Sequence, residues 1–262
     1  MYRHSILIIA LLCCCCTAVS ARAQPPPMLQ WRVLRTLTHD IAHYTQGLEL
    51  HEGKLFESAG LYGRSALYIK ELETGTILRE TRLAPHFFAE GITIWRDRVM
   101  LLTWLERIAL VFDLDLVPVG RHTYSGQGWG LTHDAAHLIM SDGSATLRYR
   151  HPDDFRIVRE LQVTAEGRAV DRLNELEYAR GLIFANVWKS DRIAAIDPAD
   201  GRVRAWLDLA PLKSRFDKPA GWDEHEHVLN GIAHDPASDR FYVTGKCWPV
   251  LFELDVAPLH SP

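Results

Sequence analysis

One four-residue phrase recurs five times along this 262-residue chain, and it constrains the fold more than any other feature. Its second residues stand at positions 47, 91, 130, 175 and 231, so the intervals are 44, 39, 45 and 56 residues. A period near 45 residues, with about four strands in each unit, is typical of a β-propeller, whereas a two-sheet sandwich has no reason to repeat one phrase five times. We therefore predict an all-β, five-bladed β-propeller of four-stranded antiparallel blades. The five copies are Gln46-Gly47-Leu48-Glu49, Glu90-Gly91-Ile92-Thr93, Trp129-Gly130-Leu131-Thr132, Asn174-Glu175-Leu176-Glu177 and Asn230-Gly231-Ile232-Ala233.

Short β-branched and aromatic runs support this prediction, while helical periodicity is scarce. Turns such as Glu73-Thr74-Gly75 separate the runs, which is the pattern of an all-β protein. The predicted strands include residues 54–56, 66–69, 99–102, 108–112, 182–185, 193–196, 240–243 and 250–254.

The first residues have the pattern of a secretory signal peptide. Residues 5–19 carry no charge, and Ala21-Arg22-Ala23 is an A-x-A cleavage site before Gln24. We therefore expect residues 1–23 to be removed and residues 24–262 to form a single β-propeller domain. The protein is then exported, to the periplasm or outside the cell, and we expect it to be a monomer with no contact to a membrane. After cleavage only Cys247 remains, so no intrachain disulfide is possible.

Charge and composition exclude several classes of protein. The chain is 47% hydrophobic and 24% charged, which excludes a disordered or fibrous protein. Its formal net charge of −4 gives no basic face for a nucleic acid. No apolar run reaches the roughly 20 residues that a membrane span requires.

The repeat alignment places two sets of side chains around the propeller axis. The first ring comes from the first residue of each phrase and contains Gln46, Glu90, Trp129, Asn174 and Asn230. The second ring follows the next strand of four units and contains Trp104, Asp142, Trp188 and Lys246. Apolar walls with a few convergent polar groups are typical of a small-molecule site, so we expect one at this end of the channel.

The chain also resembles the glutaminyl-peptide cyclotransferases of the plant and bacterial type, from about Trp31 to about Val256. It departs from the family pattern at Arg64, Gln127 and Cys247. The phrases that carry the resemblance are Tyr44-Thr45-Gln46-Gly47-Leu48, Gly60-Leu61-Tyr62-Gly63, Phe88-Ala89-Glu90-Gly91-Ile92-Thr93, Gly128-Trp129-Gly130-Leu131-Thr132, Met140-Ser141-Asp142-Gly143-Ser144, Leu173-Asn174-Glu175-Leu176-Glu177, Asn186-Val187-Trp188, Leu229-Asn230-Gly231-Ile232 and Val243-Thr244-Gly245-Lys246.

The resemblance implies a five-bladed propeller that converts the N-terminal glutamine of peptides and proteins into pyroglutamate and releases ammonia. Carried over by motif, the implied catalytic residues are Glu90, Lys246 and Gln46. The implied substrate-binding residues are Phe88, Trp104, Trp129, Asn174 and Trp188. All of these except Phe88 already stand in the two rings.

The reaction itself suggests a role for each polar residue. The α-amine of the substrate attacks its own γ-carboxamide, so one proton must leave the amine and one must reach the departing nitrogen. A single carboxylate beside both nitrogens can shuttle that proton, and Glu90 is the only carboxylate in the first ring. Lys246 or Gln46 could bind the developing oxyanion, and we expect Lys246 to keep Glu90 ionised. Asn174 could orient the carboxamide.

Two other classes of function stay open at this point. One is a metal-dependent, lactonase-like propeller hydrolase, and the other is a propeller that binds peptides without catalysis. The cyclisation requires no cofactor, although a structural cation in the central channel is left open. His225-Glu226-His227, with Asp217, Asp223 and Glu224 nearby, has the residue types of a loop metal site.

Overall fold

The structure is a computed structural model that describes residues 25–259. Five four-stranded antiparallel sheets are arranged around one axis, which confirms the predicted five-bladed β-propeller. The predicted signal peptide lies outside the described residues and stays a prediction. Within residues 25–259, no helix has the length and apolarity needed to cross a bilayer.

The strands follow one another in order within four of the blades. The chain begins with β1 (Trp31–Thr38). Blade one contains β2 (Thr45–His51), β3 (Lys54–Ala59), β4 (Ala66–Glu71) and β5 (Ile77–Arg82). Blade two contains β6 (Ala89–Trp95), β7 (Arg98–Thr103), β8 (Ile108–Asp113) and β9 (Pro118–Thr123). Blade three contains β10 (Leu131–His133), β11 (Leu138–Met140), β12 (Thr146–Arg150) and β13 (Ile157–Gln162). A small hairpin follows, made of β14 (Thr164–Ala165) and β15 (Arg168–Ala169). Blade four contains β16 (Leu173–Ala179), β17 (Leu182–Val187), β18 (Arg192–Ile196) and β19 (Val203–Asp208). After a 3-10 helix (Ala210–Ser214), blade five contains β20 (Leu229–Asp235), β21 (Arg240–Gly245) and β22 (Val250–Val256).

Blade five takes its fourth strand from the other end of the chain. Strand β1 pairs antiparallel with β22 from Trp31↔Val256 to Thr38↔Val250. The loop after β1 then leads directly into blade one, so the chain passes from blade five to blade one beside the place where β1 pairs with β22. We call this junction the closure seam.

The repeated glycine explains why the phrase recurs. A Cβ on Gly47 would lie 2.5 Å from the backbone nitrogen of Ile92, and one on Gly91 would lie 2.5 Å from that of Leu131. In blades one and two the first strand therefore approaches the first strand of the next blade too closely for a larger residue, whereas blade four has Glu175 at this position. These five strands, β2, β6, β10, β16 and β20, contact one another in a closed ring around the channel.

The core lies between the faces of neighbouring blades rather than in one central mass. Phe56 and Leu67 of blade one pack with Ile92 and Leu101 of blade two in one cluster. A larger cluster joins blade four to blade five. Because the apolar faces of the blades are buried against one another, they do not fill the axis. The axis is a channel lined by the first strands.

Candidate active site

An irregularity at the start of the first strands turns the first-ring side chains toward the channel. In β2, β6, β16 and β20 the pairing with the next strand skips at the same place. Such a bulge leaves a residue unpaired and re-aims its side chain. The residues at the skip are Gln46, Glu90, Asn174 and Asn230. The repeated phrase therefore places side chains of the site in the channel as well as defining the blades.

A cavity of about 310 Å³ opens at this end of the channel, and all eight predicted site residues line it. Its volume is at the lower end of the range for small-molecule sites. Three further residues, Tyr44, Leu61 and Glu226, complete the wall. The predicted residues are Gln46, Phe88, Glu90, Trp104, Trp129, Asn174, Trp188 and Lys246.

Aromatic rings form most of the wall and support one another edge to face. The ring centroids of Phe88 and Trp104 lie 5.6 Å apart, and those of Trp129 and Trp188 lie 5.4 Å apart. The indole N–H groups of Trp104 and Trp129 both donate to Oε1 of Gln127, at 2.8 and 3.0 Å. One amide therefore fixes two of the three tryptophans at the mouth of the cavity.

Glu90 is buried at the floor of the cavity. Its carboxyl group makes no hydrogen bond and no ion pair with another group of residues 25–259. The hydroxyl of Ser58 donates to the backbone carbonyl of Glu90 and not to the carboxyl group. Burial raises the pKa of Glu90 well above its usual value; Lys246 opposes this shift, and Glu106 adds to it. Lys246 does favour the ionised form of Glu90, but its attraction offsets only part of the loss of hydration.

Lys246 follows β21 and is also buried. Its ammonium nitrogen lies 4.5 Å from the centroid of the Tyr44 ring. Burial lowers its pKa to about 8, although Glu90 and Glu226 both favour the charged form. The hydroxyl of Tyr44 in turn donates to Glu226 at 2.8 Å, so Tyr44 joins Lys246 to the rim of the cavity.

The two amides beside Glu90 are held differently. Oε1 of Gln46 accepts a hydrogen bond of 3.3 Å from Asn230, which leaves the NH₂ of Gln46 to donate toward a ligand. Oδ1 of Asn174 is buried and has no partner within the described residues. An unpaired buried acceptor is costly, so this atom indicates a donor supplied by the substrate.

Two members of the predicted rings do not reach the cavity. Asp142 lies at this end of the channel, but it forms an ion pair with Arg148 and accepts a hydrogen bond from the hydroxyl of Ser144, so its side chain does not line the cavity as predicted. Asn230 instead donates to the carbonyl of Thr45 and to Gln46, as a residue that bridges blades five and one.

The loop that has the residue types of a metal site does not bring them together within the described residues. His225 is exposed, Glu226 binds Tyr44 and lies near Lys189, and Nδ1 of His227 accepts from the backbone of Asp223. Within residues 25–259, the possible metal ligands that lie close together are those of a different group, His39, His43 and Glu57. It stands behind the cavity wall and not in it.

The far end of the channel holds a second cavity, of about 490 Å³, with Glu49 and Glu177 in its lining. Burial raises the pKa of Glu49 to about 7 and also raises the pKa of Glu175 and Glu177. Glu175 already accepts hydrogen bonds from the backbone of Leu48 and Ile232. Glu49 and Glu177 are therefore the carboxyl groups that could bind a cation in the channel.

Tyr44, Leu61 and Glu226 are the lining residues that sequence analysis did not assign. Tyr44 and Leu61 stand inside phrases used for the resemblance, but no repeat marks them. Glu226 belongs to the long interval between blades four and five, where the chain has no equivalent in the other blades. In the sequence it is noted only because it stands between two histidines.

Comparisons with known proteins agree on one family. A family model described as glutamine cyclotransferase matches residues 6–256. Glutaminyl-peptide cyclotransferase of Arabidopsis thaliana is 38% identical over 230 residues, covering 85% of this chain and 70% of that protein. The crystal structure of Myxococcus xanthus glutaminyl cyclase superposes with a TM-score of 0.80 at 36% identity, covering 88% of this chain and 98% of that one.

Proposed function

The chain belongs to the glutamine cyclotransferase family, and on that premise we propose that it converts the N-terminal glutamine of peptides into pyroglutamate with release of ammonia. One observation carries the proposal. A buried carboxyl without a partner, Glu90, shares an aromatic cavity with an ammonium group and two amides whose hydrogen-bonding capacity is free.

The raised pKa of Glu90 suits a proton shuttle. The α-amino group of a peptide has a pKa near 8, so a carboxyl with an ordinary pKa would take its proton only at a considerable cost. Burial brings the pKa of Glu90 closer to that of the amine, which makes the transfer inexpensive. The neutral amine then attacks the γ-carboxamide carbon, and the new C–N bond closes the ring.

The remaining steps use the same carboxyl group and its neighbours. The carbonyl oxygen gains negative charge as the ring closes, and the ammonium of Lys246 and the NH₂ of Gln46 can donate to it. Glu90 then gives its proton to the departing nitrogen, which leaves as ammonia. As the carbonyl re-forms, the ring nitrogen loses its second proton to the carboxylate of Glu90, and the released ammonia carries that proton away as ammonium. Asn174 accepts from an N–H of the substrate. The aromatic wall holds the side chain folded and excludes water that would hydrolyse the amide.

The decisive experiment compares two carboxylate variants on a peptide that begins with glutamine. Glu90→Gln keeps the shape of the side chain and removes the proton acceptor, so we expect kcat to fall by at least about 100-fold. Asp142→Asn is the matched control, because Asp142 lies near the same end of the channel but outside the cavity, and it should keep wild-type kcat. Ammonia release and the mass of the peptide are measured. Wild-type protein that binds the peptide without releasing ammonia would instead support a binding protein.

Chelation tests the metal-dependent alternative. If Glu90 moves the proton, no Lewis acid is needed at the carboxamide and no cofactor is required. We therefore expect activity to survive exhaustive treatment with a chelator, while a cation in the channel would affect only the thermal stability. Activity that is lost with the fold intact, and restored by zinc, would favour a metal-dependent hydrolase.

We also infer that the chain is exported and acts as a monomer on peptide substrates outside the cytoplasm. The uncharged run before Ala21-Arg22-Ala23 supports this proposal. Intact-mass analysis should show a mature protein that begins at position 24, and size-exclusion chromatography should show one chain. A protein that keeps its first 23 residues would contradict it.

A further inference from the structure

Four buried residues form a compact charged group at the closure seam, directly behind the wall of the cavity. We call His39, His43, Glu57 and Lys70 the seam cluster. His39 and His43 belong to the loop between β1 and β2, Glu57 to β3 and Lys70 to β4, and none is more than 5% exposed. The ammonium of Lys70 donates to Oε2 of Glu57 and, at 2.8 Å, to Nδ1 of His43.

The carboxylate of Glu57 stands at the centre of this cluster. Its Oε1 accepts from the hydroxyl of Thr45 at 2.8 Å and lies 3.1 Å from Nε2 of His39. Burial opposes ionisation of Glu57, but Lys70 and His39 outweigh it and hold the pKa of Glu57 well below its usual range. The ligand atoms of His39, His43 and Glu57 lie within 4.8 Å of one another, yet the ammonium of Lys70 already bonds to two of these residues. The cluster is therefore an internal ion pair rather than an open metal site.

The repeat shows that blade architecture does not require this carboxylate. Glu57 pairs with Leu48, and the same register position in the other blades is filled by Leu101, Met140, Ala185 and Val243. Four of the five blades thus use an apolar residue where blade one buries a charge. An ion pair of this kind is no more stabilising than good apolar packing, so a local function is the better explanation.

The cluster is bonded to two of the segments that carry polar residues of the cavity, those of Gln46 and Lys246. Thr45, which donates to Glu57, directly precedes Gln46. On the other side, the carbonyl of His43 accepts from the backbone of Cys247 at 2.8 Å, and Nδ1 of His39 lies 2.7 Å from the carbonyl of Trp248. Cys247 has a φ of 59°, a left-handed conformation that a non-glycine residue keeps only when its surroundings impose it. These bonds fix the turn that begins at Lys246.

We propose that Glu57, held in place by Lys70, is a positioning residue that sets where Gln46 and Lys246 stand in the cavity. The proposal rests on the proposed function and names a further residue for it. Glu57 acts through Thr45 and the two histidines and does not touch the substrate. The tryptophan walls receive no bond from the seam cluster, so the effect should fall on the chemical step and spare substrate binding.

The test compares two buried charges that hold equivalent positions in different blades. Glu57→Gln and Lys70→Met remove the ion pair of blade one. Arg150→Met is the control, because Arg150 of blade three pairs with Leu138 as Lys70 pairs with Leu55, and it is buried with no carboxylate partner among residues 25–259. All three variants should unfold at lower temperature than the wild type. Only the two seam variants should lose kcat, by about 10- to 100-fold, which is the cost of an ångström-scale misplacement, with KM changed less than about three-fold.

A milder variant and a structural readout keep the test decisive. Thr45→Val removes only the bond to Glu57 and should lower kcat several-fold, so it carries the test if Glu57→Gln does not fold. Crystal structures of the variants should show Lys246 displaced from the Tyr44 ring, which it contacts at 4.5 Å here. This readout holds even if the wild type proves inactive on glutamine peptides, an outcome that would remove the proposed function alone. Wild-type kcat per folded molecule in the Glu57 and Thr45 variants, or an unmoved Lys246, would overturn the proposal.

Discussion

Two buried Glu–Lys combinations lie on either side of the same wall, and they behave in opposite ways. In the seam cluster, Glu57 and Lys70 are in direct contact, and the pKa of Glu57 is held low. In the cavity, Glu90 and Lys246 share a space without an ion pair between them, the pKa of Glu90 is raised, and that of Lys246 falls to about 8. Residue type and burial are alike, so the difference comes from contact.

That contact decides whether a buried charge is structural or reactive. An ammonium within hydrogen-bond distance compensates the carboxylate for its lost hydration, and the pair is then inert. When the two groups are kept apart, burial raises the pKa of the carboxyl group and lowers that of the ammonium group. Both pKa values then lie closer to neutral pH, where the groups can exchange protons. The following three predictions test this contrast.

The largest expected effect is on the stability of the seam cluster. Lys70→Met leaves the carboxylate of Glu57 buried without its cation, so we expect it to lower the free energy of unfolding by ~3–5 kcal/mol. The double variant Glu57→Leu/Lys70→Met removes both charges and should recover at least half of that loss. Urea denaturation measures all three proteins. Lys246→Met in the cavity is the comparison and should cost no more than about 1 kcal/mol. Equal losses at the two sites would contradict the contrast.

The second effect is a pH dependence of opposite sign for the two carboxyl groups. Glu90 binds its proton more tightly in the folded state, so its contribution to stability falls as pH rises from about 4.3, the unfolded value, toward its raised folded pKa. Glu90→Gln should therefore be more stable than the wild type at pH 7, by about 1.4 kcal/mol for each unit of the shift.

Glu57 should show the reverse dependence. Its folded pKa is lowered, so its contribution is fully present above the unfolded value and is lost as pH falls through the folded pKa. Denaturation of the wild type, Glu90→Gln and Glu57→Gln across pH 3–8 separates the two contributions. For each variant, the difference in unfolding free energy from the wild type is plotted against pH. If the two curves slope in the same direction, the pKa values of Glu57 and Glu90 are shifted in the same direction, which would contradict the contrast.

The smallest effect concerns the alkaline limb of the kcat profile. If the ammonium of Lys246 binds the oxyanion, activity should decline above about pH 8, where that group loses its proton. Lys246→Arg keeps a positive charge at all accessible pH values, so its limb should move upward by at least about one pH unit, whatever its absolute rate. If the pH at which kcat declines is the same in Lys246→Arg as in the wild type, another group causes the decline. Gln46 would then be the donor to the oxyanion.

The repeated phrase predicts much of this molecule because one residue pattern has two physical consequences. Its glycine allows the first strands to meet at the axis, and the bulge before it turns Gln46, Glu90 and Asn174 into the channel. A periodic signal cannot reveal what occurs once. The pairing of β1 with β22, the rim residue Glu226 and the ion pair of Glu57 with Lys70 each break the repeat, so the alignment of blades gives no indication of them.

The direction of the shift at Glu90 could not be predicted either. The sequence places Lys246 and Glu90 at one end of the channel, which suggests attraction and an ionised carboxylate. Whether burial or attraction wins depends on a few ångströms of separation. Asp142 shows the same limit, because its position in the second ring is as predicted while Arg148 draws its side chain away.

The pairing of β1 with β22 also determines when, during synthesis of the chain, the propeller can close. Among the strands of residues 25–259, β1 leaves the ribosome first during synthesis and its partner β22 is made last, so a strand edge stays unpaired until all the blades have been made. The loop after β1 contributes His39 and His43, and the turn before β22 contributes Lys246, so the floor of the cavity is completed by the same event. An incomplete chain can thus assemble several blades and still have no catalytic power, and the appearance of activity reports that the ring has closed.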